Sequence, residues 1–92
     1  MLNKLFEIIV DRKQNPVEKS YTNELLNSGY DRTAQKVGEE AVELIIAAGS
    51  QGHQRIIEES ADLVYHLFVL MVQHDISLSD LENELEKRDM KQ

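Results

Sequence analysis

The chain has 92 residues, 41% of them hydrophobic, and its 17 acidic against 10 basic side chains give a formal net charge of −7. This length allows one domain, residues 1–92, with a modest core, and the acidic charge argues against nucleic acid as a partner, because proteins that bind phosphate backbones are normally basic. The absence of cysteine excludes disulfides and thiolate metal sites and is typical of a reducing compartment.

The first two predicted helices are short. Apolar residues recur at the spacing of an amphipathic helix near the start of the chain: Leu2, Leu5, Phe6 and Ile9. This helix should end near Lys13, because Pro16 disfavours helical backbone in the residue before it. A second helix is predicted from an N-cap at Ser20 to Gly29, since glycine is common at helix C-termini.

The third predicted helix runs from about Arg32 to Ala48, with Asp31 as its N-cap and Gly49 as its stop. Its polar face carries Arg32, Lys36, either Glu39 or Glu40, and Glu43. Gly38 lies inside this helix, where it costs about 1 kcal/mol relative to alanine. We therefore expect a compensating feature at Gly38, either the close approach of a ligand or neighbouring backbone, or a packing contact.

The fourth predicted helix, over about residues 53–74, is the most apolar part of the chain. Between positions 61 and 72 only Asp62, Tyr65 and His66 interrupt the apolar residues. A helix that is apolar on nearly every face is a buried helix. Because so small a domain has little interior, we expect a second copy of the chain to cover part of this surface.

A capping-box pattern, Ser-Asp-Leu-Glu at positions 79–82, predicts the start of a fifth helix. No stretch alternates between apolar and polar residues as a strand does. No apolar run approaches the roughly 20 residues of a membrane span, and the start of the chain lacks a signal-peptide pattern. The sequence therefore predicts an all-α protein of about five helices, soluble and cytoplasmic.

Two acidic pairs have the i, i+3 spacing that places side chains on one face of a helix. They are Glu40 with Glu43, and Glu59 with Asp62. The second pair lies at the edge of the apolar stretch of the fourth helix, where unpaired carboxylates are costly to bury. Carboxylates held close together are stable only with protons or cations among them. Oxygen ligands without cysteine favour Mg²⁺, Mn²⁺ or Ca²⁺ over Zn²⁺, so we predict a site for a hard divalent cation.

The nearby basic residues and histidine have two interpretations each. Arg32 and Lys36 are spaced for ordinary ion pairing along a helix, or they form a cationic rim that holds phosphate oxygens beside a metal. The acidic pairs favour the rim. His66 is either a core histidine or a hydrogen-bonding partner for Asp62, a phosphate or a base, and the sequence favours neither.

The acidic motifs match a known enzyme group. Glu-x-x-Glu followed about fifteen residues later by Glu-x-x-Asp resembles the MazG-like all-α nucleoside triphosphate pyrophosphohydrolases. Within that superfamily, Gln-Lys-Val-Gly-Glu-Glu-Ala-x-Glu at 35–43 and Glu-x-Ala-Asp-Leu-x-Tyr-His at 59–66 resemble the phosphoribosyl-ATP pyrophosphohydrolases of histidine biosynthesis. Ser-Tyr-Thr at 20–22 and Asp-Arg at 31–32 fit the same family, and the resemblance extends from about residue 2 to residue 88.

The resemblance implies a four-helix-bundle-like fold completed by homodimerisation. It also implies hydrolysis of phosphoribosyl-ATP to phosphoribosyl-AMP and pyrophosphate, with Mg²⁺, or Mn²⁺ in its place, as cofactor. The residues expected to be catalytic are Glu39, Glu40, Glu43, Glu59 and Asp62, the last four as metal ligands. Glu39 either completes the metal shell or accepts a proton from water. Expected substrate contacts are Arg32, Lys36, His66 and Tyr21.

Two other functions fit parts of the pattern. A house-cleaning pyrophosphohydrolase that acts on non-standard nucleotides would keep the metal site and differ only in its base pocket. A non-enzymatic helical dimerisation module with an acidic groove would bind no Mg²⁺ and release no pyrophosphate from any nucleotide. Neither alternative calls for a nucleic acid or membrane partner.

Overall fold

The computed structural model describes residues 1–89, which form five α-helices and no strand. The helices are α1 (Leu2–Gln14), α2 (Tyr21–Ser28), α3 (Tyr30–Ser50), α4 (His53–Gln73) and α5 (Leu78–Asp89). The predicted all-α class is therefore confirmed. None of the described helices is long and apolar enough to cross a membrane. The two longest helices, α3 and α4, are joined by a two-residue turn and pack against each other as a hairpin.

The core lies at one end of this hairpin. It joins α1 and α2 to the C-terminal half of α4 through seven buried side chains: Phe6, Ile9, Leu25, Phe68, Val69, Met71 and Val72. The rings of Phe6 and Phe68 meet edge to face with centroids 5.1 Å apart, a favourable aromatic arrangement. The core thereby fixes α4 from Phe68 onward, while the other end of the hairpin extends beyond α1 and α2.

The junction between α2 and α3 is tighter than the sequence predicted. Ser20 caps α2 as expected, and its Oγ accepts a hydrogen bond from the backbone N–H of Asn23 at 3.2 Å. Gly29 then adopts a φ of +86°, a conformation that glycine reaches without steric cost. As a result α3 begins directly at Tyr30, so the prediction of Asp31 as its N-cap is wrong.

Two other helix ends differ from prediction. Gly49 does not stop α3, which continues to Ser50, and the turn is made instead by Gly52 at a φ of +84°. At α5 the reciprocal cap is formed by Ser77 and Asp80: the Asp80 N–H donates to Ser77 Oγ at 3.1 Å, and the Ser77 N–H donates to Asp80 Oδ2 at 2.9 Å. The helix therefore begins at Leu78, before the predicted box at 79–82.

Burial of α4 is confined to part of its length. Apart from Glu59, the buried residues of α4 all lie between His66 and Val72. Toward its N-terminus, and on the facing half of α3, apolar side chains are exposed: Val42 by 55%, Ile45 by 71%, Ile46 by 51% and Ile57 by 60%. Within the stretch predicted to be buried, residues 61–72, every residue except Ala61 and Asp62 is buried or partly buried, so the exposed apolar side chains lie outside that stretch, nearer the turn. The chain's own elements leave one apolar end of the hairpin uncovered.

Candidate metal centre

The seam between α3 and α4 holds two buried acids, one from each helix. The buried residues of α3 are Thr33, Glu40 and Ala47, which are spaced by seven and so share one face of the helix. Glu40 is 6% exposed and Glu59, on α4, is 3% exposed. Helix periodicity thus places both carboxyl groups inside the hairpin, where uncompensated charge is costly.

Three of the four predicted metal ligands come together. Carboxylate oxygens of Glu40, Glu43 and Glu59 lie within 4.8 Å of one another, and we call these three residues the carboxylate group. Asp62 does not belong to this group. It is exposed and lies one turn after Glu59 on α4. Its charge nevertheless acts on Glu40, where it helps to raise the pKa. The carboxylate group therefore unites the Glu-x-x-Glu of α3 with the first acid of the α4 pair.

The acids of this group change one another's pKa. Burial, followed by the adjacent Glu59 carboxyl and the charge of Asp62, raises the pKa of Glu40, although Lys36 acts in the opposite direction. The neighbouring Glu59 and Glu40 likewise raise the pKa of Glu43. Glu40 and Glu43 are therefore harder to ionise than in water, as expected for carboxylates that crowd together without a cation between them.

Two oxygens of the group have no hydrogen-bond partner among the described residues, although both are buried: Oε2 of Glu40 and Oε2 of Glu59. An unpaired buried polar atom costs about 1–3 kcal/mol, and more when it is charged. A cation bound to both atoms would remove that cost. An all-oxygen donor set of clustered carboxylates suits Mg²⁺ and related hard cations, so the residues present fit the predicted metal.

Each buried acid is also paired with a cation one turn earlier on its own helix. Lys36 Nζ lies 3.6 Å from Oε1 of Glu40, and an Nη2 N–H of Arg55 donates to Oε1 of Glu59. In both pairs Oε1 is engaged and Oε2 is left open. Sequence reasoning missed Arg55, although its i, i+4 spacing to Glu59 is the same signal that drew attention to Lys36.

Two other predicted residues, Glu39 and Arg32, are exposed on α3. Glu39 accepts a hydrogen bond from Gln35 Nε2 at 2.8 Å and lies 3.8 Å from Lys36 Nζ. It is exposed and outside the carboxylate group, as is Arg32 at the start of α3. Their predicted roles in catalysis and substrate binding remain predictions.

A polar network connects α2 to α4. His66 is buried, and its Nδ1 lies 2.8 Å from the carbonyl oxygen of Asp62. Because a carbonyl oxygen only accepts, Nδ1 donates this bond, and Nε2 on the other side of the ring lies 3.1 Å from the Tyr21 hydroxyl. A second bond joins the hydroxyl groups of Thr22 and Tyr65 at 2.5 Å. His66 therefore contacts the backbone of Asp62 rather than its carboxylate.

Comparison with known proteins identifies the family. The family model for phosphoribosyl-ATP pyrophosphohydrolase matches residues 2–89. The chain belongs to this family. It is 50% identical over 88 residues to a phosphoribosyl-ATP pyrophosphatase of Clostridium botulinum, covering 96% of this chain and 80% of that protein. A phosphoribosyl-ATP pyrophosphatase of Clostridium acetobutylicum is 46% identical over 91 residues, covering 99% and 83% respectively. The family indicated by the motifs at 35–43 and 59–66 is thus confirmed.

The family also includes longer proteins. The histidine biosynthesis bifunctional protein HisIE of Caldanaerobacter subterraneus is 52% identical over 88 residues, which cover 96% of this chain but only 43% of that protein. The chain therefore spans less than half the length of this bifunctional relative and most of the length of the pyrophosphatases.

Proposed function

We propose that this chain hydrolyses phosphoribosyl-ATP to phosphoribosyl-AMP and pyrophosphate in a Mg²⁺-dependent step of histidine biosynthesis, as a single domain located in the cytoplasm. The observation that carries this proposal is the carboxylate group of Glu40, Glu43 and Glu59, with its two buried, unpaired oxygens. Membership of the phosphoribosyl-ATP pyrophosphohydrolase family supports the choice of substrate.

The site suits the cleavage of a phosphoric anhydride, which needs neutralised charge and an aligned water more than covalent chemistry. Mg²⁺, when bound, supplies charge neutralisation at phosphate oxygens and lowers the pKa of a coordinated water. The carboxylate group and Asp62 would hold the ion. Glu39, which is exposed on α3, either adds a further ligand or accepts the proton of the attacking water.

We assign the substrate contacts to the cations of α3 and to the aromatic network between α2 and α4. Lys36 is partly exposed beside Glu40 and, with Arg32, would neutralise the triphosphate. Tyr21 is 41% exposed and stacks on Tyr65 with ring centroids 6.1 Å apart. We assign Tyr21 and its partner His66 to the nucleoside part of the substrate, because they pair an apolar ring face with polar atoms.

Pyrophosphate release tests the proposed substrate. With Mg²⁺ present, the purified chain should act on phosphoribosyl-ATP with a kcat/KM about 100-fold or more above that for common and non-standard nucleoside triphosphates, since a site that hydrogen-bonds a substrate discriminates strongly against analogues that leave its polar groups unpaired. Comparable rates on non-standard nucleotides would favour the house-cleaning alternative. No pyrophosphate from any nucleotide would favour the dimerisation module.

We further propose that the active form is a homodimer in which a second copy covers the exposed end of the α3–α4 hairpin. Contiguous exposed apolar surface on a small protein usually marks an interaction site. Gly38 lies along the same helix, and apart from its chain neighbours and the nearby backbone of α3, no atom of the described residues lies within 4 Å of the position its Cβ would occupy. The helix-weakening glycine therefore has no explanation inside one chain, whereas a close partner backbone or ligand would explain it.

The dimer predicts that Ile45→Glu will shift the protein to a monomer in analytical ultracentrifugation. Ile45 is 71% exposed in the single chain, so a charge there is tolerated by the monomer but would be buried without a partner in the dimer. Val17→Glu is the matched control, because Val17 is an exposed valine of the loop between α1 and α2. Equal sedimentation of the two variants and the wild type would contradict this interface.

A further inference from the structure

Arg55 lies at the mouth of the carboxylate group and bridges two acids. Its Nη1 donates to Glu58 Oε1 at 2.5 Å and its Nη2 to Glu59 Oε1. The arginine side chain is 46% exposed, whereas that of Glu59 is 4% exposed. The guanidinium therefore reaches from solvent to a buried member of the group, and it keeps N–H donors beyond the two that these bonds use.

Basic residues are unequally distributed between the two helices of the seam. Arg55 is the only lysine or arginine in α4, while Lys36 and Arg32 both belong to α3. A triphosphate at the seam would meet acids on both helices, so it needs cations on both sides. Arginine suits that task, because its planar fork binds phosphate oxygens through two parallel hydrogen bonds.

Resting on the proposed function, we propose that Arg55 is a further substrate-binding residue, which holds Glu59 in the empty site and contacts the phosphate groups of the bound substrate. A metal ion and Arg55 would share the Glu59 carboxylate, and two cations on one carboxylate repel each other. Arg55 is then available to phosphate, and Glu59 is left to the ion. Lys36 and Arg55 would flank the triphosphate from opposite helices.

Arg55→Gln tests the proposal with two readouts. At saturating Mg²⁺ the KM for phosphoribosyl-ATP should rise about 10- to 100-fold, the loss expected for a charge-assisted hydrogen bond. The rise in melting temperature caused by Mg²⁺ without substrate should be kept or enlarged, since a competing cation has been removed. Arg55→Lys should give an intermediate KM, because it keeps the charge but loses the fork.

Arg88→Gln on α5 is the matched control, because Arg88 pairs with Glu84 at 3.3 Å across the same four-residue spacing but belongs to a helix without a member of the carboxylate group. Its KM should equal that of the wild type. An unchanged KM in Arg55→Gln would overturn the assignment, and loss of the Mg²⁺-induced stabilisation would show instead that Arg55 orients Glu59. A wild type inactive on phosphoribosyl-ATP would overturn the proposed function itself.

Discussion

Glu40→Gln is expected to lower the turnover of phosphoribosyl-ATP by about 100-fold or more, which corresponds to about 2.7 kcal/mol of transition-state stabilisation. Glu40 is one of the two deeply buried acids of the carboxylate group, and its Oε2 has no partner within the described part of the chain. Glutamine keeps the shape but removes the negative charge that a Mg²⁺ site requires. A metal at a phosphate oxygen contributes several kcal/mol, so the loss should appear mainly in kcat.

The same substitution should leave the fold intact. Burial and neighbouring acids raise the pKa of Glu40, so its ionised form is disfavoured in the folded chain and a neutral amide removes that repulsion. The melting temperature of metal-free Glu40→Gln should therefore equal or exceed that of the wild type, as is common for residues whose placement serves activity rather than stability. Circular dichroism would measure this alongside a pyrophosphate-release assay.

Glu86→Gln provides the control for charge alone, because Glu86 is exposed on α5 and loses the same negative charge away from the seam. It should retain wild-type kcat. Near-normal turnover by Glu40→Gln, with Mg²⁺ present and the fold preserved, would contradict the assignment of Glu40 as a metal ligand.

Helix periodicity carried most of the fold prediction. The apolar spacing from Leu2 to Ile9 and the apolar run of α4 correctly located two helices, because burying a stripe of side chains is what stabilises helices in proteins. The errors lie at single-residue boundaries. Asp31 and Gly49 have the chemistry of helix ends, but Gly29 and Gly52 adopt the positive φ angles that reverse the chain. Residue type alone does not decide which of two nearby candidates makes the turn.

The site was predictable to the extent that it follows i, i+3 spacing. Glu40 and Glu43 face Glu59 as predicted, because two helices of one hairpin bring their buried stripes together. Spacing fails for Asp62, which shares a face with Glu59 but lies exposed outside the carboxylate group. Arg55 was missed for the opposite reason. It lies outside the family motif, yet its side chain pairs with Glu59 one turn later on α4 and so reaches the site.

Removal of Mg²⁺ by EDTA is expected to abolish pyrophosphate release and to lower the melting temperature. An ion that binds only the folded state at 100 times its Kd stabilises it by about 2.7 kcal/mol. For a domain of this size each kcal/mol moves the melting temperature by about 4–8 °C, so the shift should be on the order of 10 °C. Differential scanning calorimetry with and without EDTA, at one protein concentration, would measure it.

Glu59→Gln separates a site-specific effect of the ion from a general one. This variant loses a buried carboxylate whose Oε2 has no partner among residues 1–89, so its melting temperature should respond little to Mg²⁺. The Glu86→Gln control, altered on the exposed surface of α5, should respond like the wild type. If the wild-type melting temperature and activity were both indifferent to EDTA, the crowded acids of the seam would need another source of positive charge, and the Mg²⁺ assignment would fail.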